Sequence, residues 1–537
     1  MAFSYLEIAL VPLALLLALY AYGKWMNLHF KRKGIPYYDP PVPFVGIGLN
    51  IILQREHLSD IAQRIYSQFP NVKYFGTFEG PRPMLMLKDM DIIKQLCIKD
   101  FDVFNGHRTI IDASADPIYG NFMIILKGEK WHDMRSNLSP AFTGSKMKNM
   151  FGFVEECAKQ MAENYKNKLA SENTDVVNIE AKEAYSYFTN DVIATTVFGL
   201  KINSMEDPNC EFFKMGKKST DFGGVQLLKA MVHYFMPTFI MKLVDIPLIG
   251  KDVKGYFSNL VLGTMAEREE HGIVRLDMIH LLMEAKKGAL KHEASSKEVA
   301  GFATVEETNA GGKKAPRQWT DNELVSQALL FYMGGFDTTS TMLTFLMYEL
   351  ARHPDIQKRL QEEIDNFKLE SGDLSYNDLP KLKYMDMVVS ESMRLWPSLP
   401  VSDRVATRDY TVPPHTDSSR TPYQMKANES VWVPIFCIHR DPQYFPNPLK
   451  FDPDRFSDEN KHSIKSGSYM PFGFGPRNCI GSRFALMVIK AVVFNMLGTF
   501  DIVVTSKTQI PVKIATNTFN MNTERGMWVG LKLRTPQ

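Results

Sequence analysis

Phe472-Gly-Phe-Gly-Pro-Arg-Asn-Cys-Ile-Gly481 is the stretch from which the rest of the chain can be read. Gly473, Gly475 and Pro476 rule out a regular helix ahead of Cys479, since glycine loses the most backbone entropy and proline lacks an N–H donor. Beyond it, Ser482-Arg-Phe-Ala-Leu-Met-Val-Ile-Lys-Ala-Val-Val reads as a long apolar helix. Cys479 therefore stands where a Gly-rich loop meets a helix N-terminus. Free N–H groups and the positive end of the helix dipole stabilise an anionic sulfur there, which predicts a lowered pKa. The bland alternative is a small buried hydrophobe, the usual fate of a lone cysteine.

The neighbours decide against the bland reading. Phe472, Gly475, Arg477, Cys479 and Gly481 fill every position of the haem-thiolate signature Phe-x-x-Gly-x-Arg-x-Cys-x-Gly. In this the sequence resembles the cytochrome P450 family. The resemblance implies that Cys479 is the axial ligand to the iron of haem b, that Arg477 holds a haem propionate and that Phe472 covers the thiolate.

Composition sets bounds. The chain has 537 residues, 45% hydrophobic and 23% charged, with a net charge of +2, so nothing suggests a nucleic-acid partner. The five cysteines (Cys97, Cys157, Cys210, Cys437, Cys479) are odd in number and widely spaced, which fits a reducing compartment rather than a disulfide framework or zinc ribbon. The 35 Phe and 30 Met suit a deformable pocket, although a large core accounts for most of them.

The N-terminus carries a membrane signal. Ile8 to Tyr22 is uncharged and rich in Leu and Ala, and positive charge follows it in Lys24 and Lys31-Arg32-Lys33. That order predicts an uncleaved anchor over residues 1–23 with the rest of the chain in the cytosol. The sequons at Asn137 and Asn428 then stay unglycosylated. A basic, proline-rich hinge covers 24–50, and residues 51–537 read as one catalytic domain. In that domain, 57–69 looks helical, and Asn71 to Phe78 with Met84 to Leu87 looks like a hairpin. Helical periodicity dominates from Met90, and strands return near Tyr410, Ser430 and the last forty residues. Lys286 to Arg317 is polar and reads as a mobile surface loop. It ends at Thr320-Asp-Asn-Glu323, a capping box.

The helix that starts there extends to about His353, where Pro354 stops it. Gly334-Gly-Phe-Asp-Thr-Thr339 sits in its middle. Two glycines in a helix interior cost roughly 2 kcal/mol relative to alanine, so either close packing or an opened turn is needed there. On the second reading Asp337 and Thr338 form an acid–alcohol pair that relays protons through water. The segment is similar to the family's Ala/Gly-Gly-x-Asp/Glu-Thr-Thr/Ser pattern, with Gly334 where many members have alanine.

Glu391 and Arg394 lie i, i+3 on a helix and are followed by Leu395-Trp-Pro397. They match the family's Glu-x-x-Arg element, whose implied third partner is Arg455; these three are structural. The family places Trp131 and Arg135, i, i+4 on one face, on a haem propionate, and Arg404 lies where related members place another propionate arginine. His132 and His439 read as ordinary. Three apolar regions are pocket candidates: Ile110 to Met123, Phe222 to Leu248, which is apolar enough to touch a membrane surface, and Asn517 to Asn522. The lining candidates are Phe122, Phe235, Phe331, Gly334, Gly335, Val401 and Phe519, with core packing an equal alternative for each.

The resemblance spans the chain in order and implies a mainly α fold with a small β part. It is the cytochrome P450 fold, with haem between the acid–alcohol helix and the cysteine-loop helix. Leu138-Ser-Pro-Ala-Phe-Thr143 and Asp321-Asn-Glu-Leu-Val-Ser-Gln-Ala look closest to the insect xenobiotic-metabolising branch. The implied protein is an endoplasmic-reticulum monooxygenase that inserts one oxygen atom from O2 into lipophilic substrates: insecticides, plant toxins, or endogenous lipids and hormones. With no flavin or nicotinamide fingerprint, electrons must come from a separate flavoprotein, the NADPH–cytochrome P450 reductase, with cytochrome b5 as a second candidate donor. Two alternatives remain: a haem-thiolate isomerase or dehydratase working without O2, against which Asp337-Thr338 argues, and a non-catalytic haem sensor or carrier.

Overall fold

The computed structural model describes residues 5–108, 116–221, 223–226, 229, 248–288, 302–304, 319–518 and 520–534. The chain divides into two compact units, Met1–Arg108 with Pro400–Ile438, and Thr109–Leu399 with His439–Gln537.

The first unit begins with α1 (Tyr5–Asn27), and α2 (Leu58–Tyr66) follows. Leu13, Leu15, Leu16, Leu17 and Leu19 of α1 are exposed. Among the described residues, no helix is long and apolar enough to cross a membrane. The predicted hairpin forms as β1 (Tyr74–Glu79) and β2 (Arg82–Leu87), and β4 (Ser402–Val405) and β7 (Ser430–Val433) complete a sheet ordered β1-β2-β7-β4. Only the β2–β7 pair is parallel. β5 (Tyr410–Val412) and β6 (Tyr423–Met425) form a separate hairpin. The proline-rich stretch is laced to the β1 edge: Tyr37 bridges Gly76, Gly46 bridges Glu79, and Tyr38 N–H donates to the Gly76 carbonyl at 2.9 Å. Buried Phe30 lies flat against Gly76, where any Cβ would collide with its ring.

The second unit holds α3 (Gly128–Leu138), α4 (Gly144–Glu172), α5 (Ala181–Ile193), α6 (Glu211–Thr220), α7 (Lys251–His271) and α8 (Met278–Lys286). Further on come α9 (Asp321–Arg352), α10 (Pro354–Ser371), α11 (Lys383–Leu395) and α12 (Ser482–Leu497). A sheet β3-β9-β8 is built from Val176–Glu180, Trp528–Leu533 and Phe500–Val503, all antiparallel. The capping box works in both directions: Glu323 N–H donates to Thr320 Oγ1 and Thr320 N–H to Glu323 Oε2. From it α9 runs as the central core helix, buried along most of its length. On one side Tyr332 meets Phe198, Phe212, Phe257 and Phe336 in an aromatic cluster. Gly216 of α6 leaves room for the Tyr332 hydroxyl, which a Cβ would strike.

Of the stretch read as a mobile loop, Lys286–Gly288 and Phe302–Thr304 are described, and Phe302 is docked. Its ring lies 4.9 Å from Phe456 and 5.5 Å from Tyr469, and its N–H donates to Asp386 Oδ2 at 2.7 Å. Most of Phe222 to Leu248, including Phe235, lies outside the described residues, as do Phe519 and Ile110 to Ala115.

Candidate active site

Two glycines at positive φ, Gly473 (70°) and Gly475 (68°), turn the loop before Cys479 back on itself. Cys479 N–H donates to the Phe472 carbonyl at 2.9 Å and closes the loop, and α12 begins just beyond. Cys479 is the exposed one of the five free cysteines. The predicted lowering of its pKa does not prevail. Desolvation pushes the thiol up, while the Gly481 N–H and the Arg135 charge pull it down by less. Cys479 is thus an exposed residue whose thiol is nonetheless desolvated by the protein around it.

Cations gather beside it. Arg135 of α3 is buried and donates to the Asn478 carbonyl (2.8 Å) and to Asn478 Oδ1 (2.7 Å). Arg477 donates to the carbonyls of Leu126 (2.7 Å) and Met123 (3.4 Å), with its guanidinium 4.1 Å above the Trp131 ring. The structure thus brings together Trp131, Arg135, Arg477 and Cys479. Arg404 and Val401 belong to the other unit, where buried Arg404 lies on β4 and donates to Ser402 Oγ and the Asp403 carbonyl.

The Gly334–Gly335 stretch of α9 does not open: the helix is unbroken from Asp321 to Arg352. The two glycines answer to different causes. A Cβ on Gly335 would lie 3.0 Å from Ile193 Cδ1, so close packing of α5 accounts for it, whereas a Cβ on Gly334 would meet nothing within 4 Å. Extra donors surround this stretch of backbone. Thr338 Oγ1 donates to the Gly334 carbonyl (2.5 Å), Thr189 Oγ1 to Phe336 O (3.1 Å), Lys182 Nζ to Asp337 O (3.0 Å) and Ser398 Oγ to Thr338 O (3.1 Å). The Asp337 carboxylate is ion-paired with Lys182 at 2.9 Å. Lys182 also donates to Ser340 and Thr341, so α5 grips α9 at the acid–alcohol pair.

Behind the cysteine loop, Glu391 and Arg394 are wholly buried and doubly bonded, at 2.7 and 2.9 Å. Arg455 (3.3 Å) and the Asp452 N–H (2.8 Å) complete the Glu391 shell. Burial pushes the Glu391 carboxyl up against the pull of both arginines. Phe122 is fully packed beside Tyr119. Phe331 meets Phe142 at 5.4 Å, and Phe142 also lies beneath Gly481, so one ring touches both α9 and the cysteine loop.

Sequence reasoning missed Lys182, Asn478 and Phe142. Lys182 is 155 residues from Asp337 and has no local signal. Asn478 occupies a variable position of the signature. Phe142 was visible only as part of Leu138–Thr143.

The residues present fit an iron porphyrin: an exposed cysteine for the metal, buried guanidiniums for two carboxylates, and a helix face left clear at Gly334. Fold and site together define a haem-thiolate oxygenase. The chain belongs to the cytochrome P450 family, whose profile matches residues 36–529. It is 43% identical over 535 residues to cytochrome P450 9e2 of Blattella germanica, covering 97% of each chain. It is 35% identical over 530 residues to cytochrome P450 9b2 of Drosophila melanogaster, covering 97% of this chain and 98% of that one. Over 523 residues it is 35% identical to cytochrome P450 6k1 of Blattella germanica, covering 97% and 96%. The protein is a haem-thiolate monooxygenase of the insect type, using haem b, O2 and electrons passed from NADPH by a reductase.

Proposed function

We propose that this monooxygenase oxidises lipophilic compounds, foreign ones such as insecticides and plant toxins or endogenous lipids and hormones. The carrying observation is Cys479, open and yet desolvated, at the head of α12. Haem b, when bound, supplies the iron chemistry that activates O2. Trp131, Arg135, Arg477 and Arg404 hold its two propionates, and Phe472 covers the sulfur. Asp337 and Thr338 hold and move protons at their side-chain oxygens, and Glu391, Arg394 and Arg455 brace the loop from behind. Phe331, Gly334 and Val401, with Phe235 and Phe519, bound the substrate space, while Phe122 and Gly335 serve packing.

The chain resides at the endoplasmic reticulum through a single anchor over 1–23, with a hinge over 24–50 and a cytosolic catalytic domain over 51–537. The exposed leucines of α1 support this placement. Cytochrome b5 serves as a second electron donor. NADPH consumption tests the reaction: it must depend on added reductase and yield an oxygenated product. Consumption without product, or product without reductase, would sink the reading. Unchanged gel mobility after endoglycosidase treatment checks the topology at Asn137 and Asn428.

A further inference from the structure

His439 does more than fill the core. It is buried, and its carbonyl and both ring nitrogens have partners across the fold. Its carbonyl accepts from Arg394 Nη1 at 2.6 Å. Its Nδ1 lies 3.1 Å from the Arg394 carbonyl, and its Nε2 lies 3.0 Å from the Met470 N–H. The last contact fixes the tautomer. A backbone N–H can only donate, so Nε2 accepts, and the ring proton sits on Nδ1 and points at Arg394 O. Burial beside Arg394 and Arg440 keeps the ring neutral, so the acceptor persists at working pH.

The two partners lie at mechanically important points. Arg394 is in the last turn of α11, where carbonyls lack helical donors, so His439 caps the helix that carries the Glu391–Arg394 pair. Met470 provides the last N–H before Pro471, which has none, and Pro471 leads into Phe472. Phe472 supplies the carbonyl that receives the Cys479 N–H. Between them stand Gly473 and Gly475, the most permissive residues available, and the loop's own tie to its entry is one bond from the Gly473 N–H to the Met470 carbonyl at 3.0 Å, which leaves the Met470 N–H to His439. The Tyr469 ring stacks on His439 at 5.7 Å, and its hydroxyl donates to Ser390 O, which gives the entry a second tie to α11.

We propose that His439 is a positioning residue for the thiolate: it pins the Met470 amide to the end of α11 and thereby sets where Phe472 presents Cys479.

Substitutions can separate this role from ordinary packing because the two ring nitrogens have different mimics. His439→Gln can place an oxygen near the Nε2 position and keep the Met470 bond. His439→Asn can keep only the bond to Arg394, and His439→Phe keeps neither. The test uses full-length holoprotein in lipid vesicles, reduced and saturated with carbon monoxide. It follows the decay of the red-shifted, thiolate-type band at a temperature below unfolding. Leaving the Met470 N–H as an unsatisfied buried donor predicts decay about tenfold faster in the Asn and Phe variants. The Gln variant should decay close to the wild-type rate, and this order should not follow the order of melting temperatures. If Asn and Gln decay alike, or if decay rates simply follow melting temperatures, the proposal is overturned. Should the variants fail to hold haem, hydrogen exchange of the wild-type holoprotein decides. The Met470 amide must then be protected like a core amide, and exchange at the rate of an exposed loop would overturn the assignment.

Discussion

Lys182 holds Asp337 by both its carboxylate and its carbonyl, with Nζ at 2.9 and 3.0 Å, so the acid proposed to handle protons on α9 is tethered to α5. Neither side chain is free to water: 20% of Lys182 and 17% of Asp337 is exposed. The tether separates two effects that mutation usually confounds. Lys182→Met removes the ammonium's contacts to Asp337, Ser340 and Thr341 and should cost roughly 1–3 kcal/mol of stability. Asp337→Asn leaves Lys182 its Asp337 carbonyl, Ser340 and Thr341 partners, so its melting temperature should stay close to wild type while product per NADPH drops. Melting curves and NADPH-to-product stoichiometry on both variants check this; unchanged product per NADPH in Asp337→Asn would remove Asp337 from proton delivery.

Thr338→Ala should uncouple the enzyme rather than switch it off. The hydroxyl donates to the Gly334 carbonyl at the clear face of α9, and losing it should leave haem binding and NADPH use nearly intact. Hydrogen peroxide should rise and product per NADPH fall, within the ~10²–10⁴-fold range of general acid–base contributions. Peroxide, NADPH and product measured in one reaction decide; unchanged coupling would end the case for Thr338.

The two glycines of α9 should behave differently. Gly334→Ala gains about 1 kcal/mol of helix propensity at no steric cost, since a Cβ there meets nothing. Gly335→Ala pushes Cβ to within 3.0 Å of Ile193, which offsets the same gain. Gly334→Ala should raise the melting temperature and alter substrate-induced spectral shifts, whereas Gly335→Ala should not raise it.

Cys479→His should abolish monooxygenation while allowing haem to bind, because imidazole lacks thiolate donation. The reduced, carbonyl-bound band should move from the thiolate to the histidine position. A histidine-type band in the native wild type would refute the ligand assignment.

His439 gives a pH signature. Burial depresses it from 6.5 to about 3, so as pH falls below 6.5 the unfolded chain takes up a proton that the folded chain refuses. Its contribution is fully present above 6.5 and is lost on the way down to 3, at ~1.4 kcal/mol per pH unit. Asp191, raised to about 6 by burial, acts in the opposite direction, so only a difference isolates the histidine. The stability gap between wild type and His439→Gln should narrow from pH ~7 to ~5 at about that slope. Parallel curves would show that His439 is not buried neutral.

Local chemistry was what the sequence could display. The capping box at Thr320 and Glu323, the β1–β2 hairpin and the cysteine loop all depend on residues within a few positions of one another. Each of them is where its residues pointed. Long-range partners were not legible. Nothing beside Asp337 announces Lys182, and nothing beside His439 announces Met470, because those pairings exist only after the helices have packed. The cost of two adjacent glycines was readable, but not its split into a packing site at Gly335 and a clear face at Gly334. Direction of a pKa shift failed for the same reason: the helix end near Cys479 is visible in sequence, and the mass of protein around it is not.

Phe302 has a practical consequence for building chimeras. Lys286 to Arg317 has the composition of an interchangeable spacer, and a protein engineer would shorten it or swap it with a relative's. Yet its one aromatic residue is seated in a socket of Phe456, Tyr469 and Asp386, and Asp386 also pairs with Lys490 of α12 at 2.9 Å. A graft is therefore compatible with the helix that carries Glu391 and the helix that follows Cys479 when it brings a ring and a backbone N–H to that socket. Matching the loop's length alone leaves the socket without its plug.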